Sequence, residues 1–125
     1  MVRKGPKYLN LVEIRLPLPA VVSFMHRVSG AFLFVVLPVL LLWLQQSLAS
    51  AEAFAALRGA LSHWAAKLFM LAVLWAFFHH LFAGIRHLVM DVYLEADELA
   101  PGRFSAKLAL VLGIATTVVA GVALW

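Results

Sequence analysis

Three long apolar runs without charged side chains divide the chain. They cover residues 28–51, 68–85 and 108–125, and none contains Asp, Glu, Lys or Arg. A helix of about 20 largely apolar residues crosses a hydrocarbon core about 30 Å thick, and each run with its flanks is long enough. The pattern therefore predicts an all-α membrane protein with three transmembrane helices.

The proline residues and polar segments between these runs set the predicted helix boundaries. The chain is predicted to be one transmembrane anchor domain, 1–125, with an arm at 1–19 and membrane helices at about 20–48, 62–92 and 103–125. Pro17 and Pro19 favour an extended entry into the first helix, and Pro38 is expected to bend it. The Ala-rich connection at 49–61 is compatible with a short interfacial helix, and the charged segment 93–105 is predicted to be a solvated loop.

Composition supports the membrane assignment and limits the chemistry. Hydrophobic residues make up 65% of the 125 residues, charged residues make up 13%, and the mean hydropathy is +0.99. A soluble domain of this size needs more polar surface. The sequence contains no cysteine, which excludes disulfides, thiolate-bound zinc or iron–sulfur clusters, and covalent c-type haem attachment. Any metal must be held by histidine or carboxylate side chains.

The cationic residues predict an orientation. Two of them, Arg58 and Lys67, flank the first connection. Eight others precede the first apolar run or surround the second connection: Arg3, Lys4, Lys7, Arg15, Arg27, Arg86, Arg103 and Lys107. The positive-inside rule then places the N-terminus and the second connection in the cytoplasm and the C-terminus on the periplasmic side. Topology and attraction to anionic membrane lipid explain the net charge of +4, so no nucleic-acid partner is required.

The third predicted helix carries a stripe of small residues. Ala109, Gly113, Thr117 and Gly121 recur at every fourth position. Small side chains let helix backbones approach closely in lipid, so the stripe predicts packing against another helix. Chance spacing in an Ala- and Gly-rich helix is the alternative.

The second predicted helix carries a candidate haem site. At about 100° per residue, His80, Gly84 and His87 share one face, with His80 roughly 10 Å deeper than His87. An imidazole in the membrane beside a glycine that leaves room for a flat ligand is what an axial haem ligand requires. Arg86 and His87 lie where haem propionates would emerge. The alternative is that His80 only forms an interhelical hydrogen bond.

The start of the first predicted helix carries a second candidate site. Ser23, His26, Arg27 and Gly30 share a face. A hydroxyl and a guanidinium together can hold a carbonyl oxygen, and the cation can neutralise a propionate or the negative charge on a reduced quinone. The alternative is that Arg27 is a positive-inside anchor and His26 an interfacial residue.

Three further ionisable residues have less certain roles. His79 points about 100° away from His80 and is expected to donate an interhelical hydrogen bond or to neighbour a bound ligand. His63, beside Trp64, is expected at the outer interface. Asp91 is placed to pair with Arg27 or Arg86, or to cap the helix end, and the sequence does not choose among these.

Together these segments resemble a known family. Residues 23–30, Ser-Phe-Met-His-Arg-Val-Ser-Gly, and residues 80–91, His-Leu-Phe-Ala-Gly-Ile-Arg-His-Leu-Val-Met-Asp, look like the cytochrome b556 membrane-anchor subunits of succinate dehydrogenase, respiratory complex II. The likeness extends over essentially the whole chain. It implies a subunit of the bacterial inner membrane that packs with a second small anchor subunit into a haem-binding bundle.

The resemblance also implies roles for individual residues. It makes His80 one axial ligand of a single haem b, shared with a histidine of the second anchor. Ser23 and Arg27 line a pocket for a quinone, expected to be ubiquinone with menaquinone as the alternative. His26, Arg27, Arg86 and His87 neighbour the propionates, and no residue of this chain is catalytic by itself. The implied partners are the second anchor, an iron–sulfur subunit and a flavoprotein subunit, which pass electrons from succinate to quinone.

Other functional classes are compatible with parts of this pattern. An anchor cytochrome of fumarate reductase or formate dehydrogenase is chemically close, although such anchors usually carry two haems. A small transporter or channel subunit should place ionisable groups near the bilayer midplane, whereas here they cluster toward one side. A purely structural anchor would need only the small-residue stripe.

Overall fold

The computed structural model describes residues 15–93 and 99–125. The first part of the predicted arm, with Arg3, Lys4 and Lys7, lies outside the described residues. The acidic part of the predicted second connection, Glu95 to Glu98, lies outside them as well.

Helices make up nearly all of the described chain. They are α1 (Leu18–Ala49), α2 (Ala51–Leu61), α3 (Trp64–Val92) and α4 (Leu99–Leu124), and no strand occurs among the described residues. Three stretches are long and apolar enough to cross a membrane: α1, α3 and the Pro101–Leu124 part of α4. This confirms the prediction of an all-α membrane protein with three transmembrane helices, while α2 occupies the first connection.

Short-range chemistry sets where α1, α2 and α3 begin. Pro17 is extended, with ψ of 150°, and leads into the first turn of α1, which then continues through Pro38 to Ala49. The Ser50 hydroxyl accepts a hydrogen bond from the Ala53 N–H at 3.1 Å and so caps α2. His63 Nδ1 accepts from the Ala65 N–H at 3.3 Å, so this exposed histidine caps α3.

An acidic residue reinforces the start of α2. The pKa of the Glu52 carboxyl is lowered by the backbone N–H of the same residue and by the Ser50 hydroxyl. Both favour the carboxylate, as expected for an acidic side chain in the first turn of a helix.

The start of α4 corrects the predicted boundary. The helix begins at Leu99 rather than Arg103, so Pro101 and Gly102 belong to its first turn and not to a loop. The N–H groups of a first helical turn have no acceptor within the helix, so proline costs no hydrogen bond there. The Pro-Gly pair was therefore wrongly taken as a loop signal.

The central element is α3, which packs against both α1 and α4. The helices α1 and α3 run in opposite directions, because His26 near the start of α1 meets His87 near the end of α3, while Trp43 near the end of α1 meets Phe69. On α1 the buried positions Val22, Ser29 and Val36 recur at heptad spacing and form one stripe. We call the end where α1 begins and α3 ends the N-terminal end of the bundle.

The small-residue stripe of α4 packs against α3, which confirms its predicted role. Ala109 and Thr117 are buried, and a Cβ added to Gly113 would lie 3.3 Å from the Cα of His79. At Gly121 an added Cβ would meet only the end of the Leu71 side chain. The backbones of α3 and α4 therefore approach closely at Gly113.

Most of the remaining surface is apolar. Only 11% of the most apolar 18-residue stretch of α1 is buried inside the bundle. The side chains of Phe34, Leu48 and Val122 are each more than three-quarters exposed. Lipid or other transmembrane helices must cover such faces.

Replacing Gly113 with Leu should disrupt α3–α4 packing, because the new side chain would overlap the His79 backbone, which cannot move aside. We expect a loss of about 1–3 kcal/mol in stability, measured as a lower unfolding temperature of the detergent-solubilised protein. Ala115→Leu is the matched control, since Ala115 lies exposed on the same helix. Equal effects of the two substitutions would contradict this packing.

Candidate functional site

Three imidazoles come together between α1 and α3 toward the N-terminal end of the bundle. The rings of His26 and His80 stack, with centroids 4.1 Å apart and an interplanar angle of 11°. The His87 ring lies 4.9 Å from the His26 ring and is tilted by 45°. All three histidines are half-buried. Of the histidines predicted to contribute to a site, the fold thus unites these three.

Two glycines make this arrangement possible. A Cβ added to Gly30 of α1 would lie 2.7 Å from Cε1 of His80, and one added to Gly84 of α3 would lie 3.3 Å from Nε2 of His26. Each helix therefore presents a histidine to a glycine of the other. The His26 imidazole lies beside Gly84, and the expectation that this glycine leaves room for a flat ligand stays a prediction.

The hydrogen bond of His80 defines which ring nitrogen can bind a metal. Its Nδ1 lies 3.0 Å from the main-chain carbonyl oxygen of His26. A carbonyl oxygen can only accept, so Nδ1 must carry the proton. In the neutral ring, Nε2 then holds a lone pair, and no hydrogen bond occupies it within the described residues. A histidine held in this way is prepared to coordinate a metal through Nε2.

The site is suited to a single metal bond from this chain. Among residues 15–93 and 99–125, no group of three or more His, Asp or Glu side chains could enclose an ion. A zinc or di-iron site needs such a group, whereas an axial haem ligand needs only one nitrogen. His80 therefore fits a haem better than a bare ion.

An apolar cavity of about 340 Å³ lies between α1 and α3 beside Ser29. Met25, Phe32 and Ala76 are among its lining residues, and His80 is not.

Ser23 and Arg27 lie one helical turn apart on α1, at the same end of the bundle. Ser23 is half-buried and Arg27 is exposed. Arg27 directly follows His26, which belongs to the imidazole cluster. Asp91 is exposed at the end of α3 and forms no ion pair with Arg27 in the described part of the chain.

Arg86 is directed to the opposite side of α3. Its side chain is 6% exposed, its Nε donates to the Ser105 hydroxyl at 3.0 Å, and one Nη donates to the Gly102 carbonyl at 3.4 Å. The Ser105 hydroxyl in turn donates to the same carbonyl at 3.1 Å. The structure therefore joins Arg86 to the first turns of α4.

His79 lies in the core and not in the imidazole cluster. It is fully buried, its ring stacks on Trp75 with centroids 5.2 Å apart, and neither ring nitrogen forms a hydrogen bond within the described residues. The interhelical bond expected of His79 is thus not formed. The spacing of Trp75 and His79, four residues apart, was the missed signal for the stack.

Ser29 was also missed as part of the site. Its hydroxyl donates to the His26 carbonyl at 2.9 Å and lies 3.3 Å from Nδ1 of His80. The signal was present in the first motif, where Ser29 falls one turn after His26 and directly before Gly30.

Comparison with known proteins identifies relatives of this chain. Residues 1–120 match the family described as "Succinate dehydrogenase/Fumarate reductase transmembrane subunit". The "Succinate dehydrogenase cytochrome b556 subunit" of Coxiella burnetii (strain RSA 493 / Nine Mile phase I) is 40% identical over 124 residues, which cover 98% of each chain. The protein of the same name from Paracoccus denitrificans is 34% identical over 92 residues, 72% of this chain and 71% of that one.

Replacing Ser105 with Ala should destabilise the α3–α4 contact, because the buried Arg86 Nε loses its acceptor. We expect a cost of about 1–3 kcal/mol, read as a lower unfolding temperature in detergent. Ser47→Ala is the control, because the Ser47 hydroxyl bonds only the Leu44 carbonyl of its own helix. No difference between the two variants would show that the Arg86–Ser105 bond contributes nothing measurable.

Proposed function

The chain belongs to the family of succinate dehydrogenase/fumarate reductase transmembrane subunits, and on this basis we propose that it anchors a succinate:quinone oxidoreductase and binds haem b and quinone. The observation that carries the haem assignment is the bond from His80 Nδ1 to the His26 carbonyl. It leaves Nε2 of His80 with a lone pair that can bind iron.

The residues around His80 fit a haem shared between two subunits. His80 would supply one axial nitrogen, and a histidine of a second anchor subunit would supply the other. A bound haem b supplies a one-electron carrier. His26 and His87 would neighbour the propionates, and Nδ1 of His87, which is buried without a partner among the described residues, would be available to them.

The side chain of Arg86, for which a propionate role was predicted, forms hydrogen bonds to α4. Its Nε and one Nη are directed to Ser105 and Gly102 of α4. Arg27, which is exposed beside His26, is the better candidate for a cation at the propionates. We therefore assign Arg86 to holding α4 in place.

We place quinone beside Ser23 and Arg27. A serine hydroxyl and a guanidinium one helical turn apart can both donate to a quinone carbonyl oxygen, and the positive charge stabilises negative charge that develops there during reduction. Because Arg27 is exposed, other subunits would have to complete the pocket. Ubiquinone is the proposed substrate, with menaquinone as the alternative.

The proposed partners are the second anchor, an iron–sulfur subunit and a flavoprotein subunit that oxidises succinate. The apolar faces of the three spanning helices match burial in lipid and against the second anchor. We propose the bacterial inner membrane as the location, with the N-terminus in the cytoplasm. Electrons would then leave the iron–sulfur subunit near Arg27, and protons would come from the cytoplasmic side.

A fumarate reductase anchor is the second candidate, because the family description covers both enzymes. The two curated relatives are both named as succinate dehydrogenase subunits, which favours the first candidate. A transporter or purely structural role would leave the His80 geometry without a use, and a b-type absorption spectrum of the purified complex would exclude it.

His80→Ala should remove the low-spin b-type spectrum or reduce the haem content of the purified complex, because the iron loses an axial nitrogen. The measurement is a reduced-minus-oxidised spectrum with a haem assay. His63→Ala is the control, since that imidazole lies exposed at the start of α3. An unaltered low-spin spectrum in His80→Ala would falsify the ligand assignment.

Arg27→Ala should lower quinone reduction by succinate roughly 100-fold, because a charged donor to the developing negative charge is lost. Succinate oxidation by a soluble artificial acceptor should persist, since it does not need the anchor site. Arg58→Ala removes an equivalent charge at the other end of the bundle and should leave both activities unchanged. Normal quinone turnover in Arg27→Ala would rule out its proposed role.

A further inference from the structure

We propose that residues 26–30 form a socket for the His80 ring, in which Ser29 is a positioning residue that tunes the bond between His80 and the iron. This inference rests on the proposed function, because it takes His80 as the haem ligand. The socket consists of the His26 carbonyl and ring, the Ser29 hydroxyl and the open side of Gly30.

The polar part of the socket sets the protonation pattern of the ring. The His26 carbonyl oxygen accepts from His80 Nδ1 at 3.0 Å and from the Ser29 hydroxyl at 2.9 Å. The same hydroxyl oxygen lies 3.3 Å from Nδ1. The His26 carbonyl oxygen thus accepts hydrogen bonds from two donors. Because Ser29 shares this oxygen, it moderates how strongly the carbonyl polarises the His80 N–H group.

The apolar part of the socket sets the ring orientation. The His26 ring covers one face of the His80 ring at 4.1 Å, and Gly30 lies so close that an added Cβ would come within 2.7 Å of Cε1 and 3.2 Å of Nδ1. The ring therefore cannot turn about its long axis without losing its hydrogen bond or meeting α1. This restraint directs Nε2 along one line.

The burial of Ser29 distinguishes it from a serine that only bonds a carbonyl of its own helix. Ser47 also bonds the carbonyl three residues earlier, but it does so on the exposed surface and contacts no imidazole. Ser29 is 3% exposed, and its hydroxyl lies against the other helix. Partners of a ligating histidine that bond its second nitrogen control how strongly the ligand donates to the metal.

The decisive experiment compares Ser29→Ala and Ser29→Thr in the purified multisubunit complex. In Ser29→Ala the His26 carbonyl oxygen accepts from His80 alone, so the hydrogen bond from the His80 N–H group to this oxygen strengthens and the ring donates more to the iron. We expect an unchanged haem content, a lower haem midpoint potential and shifted g-values of the ferric low-spin signal. Ser29→Thr keeps the hydroxyl and should restore both properties, and Ser47→Ala should alter neither.

An unchanged or higher midpoint potential in Ser29→Ala overturns the proposal, as does a failure of Ser29→Thr to restore it. His80→Ala, measured alongside, separates the two levels of inference. If His80→Ala keeps the low-spin spectrum, the proposed ligand itself is wrong. If His80→Ala loses the spectrum while Ser29→Ala matches the unmodified complex, only the socket is wrong.

Gly30→Ala tests the steric part independently. The added methyl group would overlap the His80 ring, so we expect loss of the low-spin signal or of haem. Gly121→Ala is the matched control, because its Cβ would approach only the flexible end of Leu71, at 2.8 Å. A normal low-spin spectrum in Gly30→Ala overturns the steric restraint, and if this variant does not assemble, the Ser29 comparison decides.

Discussion

The close approach of α1 and α3 at two glycines is the constraint on which the imidazole cluster depends. Because the helices are antiparallel, a His-x-x-x-Gly segment on each places His26 opposite Gly84 and His80 opposite Gly30. Because neither glycine has a side chain, the His26 and His80 rings can stack in the space between the two helices. The same approach brings the His26 carbonyl within hydrogen-bond distance of His80 Nδ1. The stacking of the rings and the protonation of His80 at Nδ1 therefore both follow from the close approach of α1 and α3.

The two sides of α3 contact different helices. One side carries His80 and His87 toward α1 and leaves them half-buried, while the other carries Arg86 into a buried bond with Ser105 of α4. A buried guanidinium needs several acceptors, and the first turns of α4 supply them. The Arg86 side chain thus stabilises the scaffold, which leaves Arg27 as the exposed cation beside the cluster.

Much of the fold could be predicted because lipid imposes simple rules. Charge-free runs long enough to cross a bilayer identified the three spanning helices, and the small residues at Gly113 and Gly121 identified the face of α4 that packs. The start of α4 was predicted wrongly, because Pro101 and Gly102 signal a loop in isolation but are also tolerated in a first helical turn.

By itself the sequence determined the number of spanning helices, the family and the candidate residues, since hydropathy and short motifs are properties of neighbouring positions. Only the tertiary structure decided that His26 lies beside Gly84, that Arg86 faces α4 and that Ser29 contacts His80. Helical periodicity gives the angle of a side chain about its own axis, but not which neighbouring helix lies there or how near it comes. Those distances depend on the packing of all three spanning helices together.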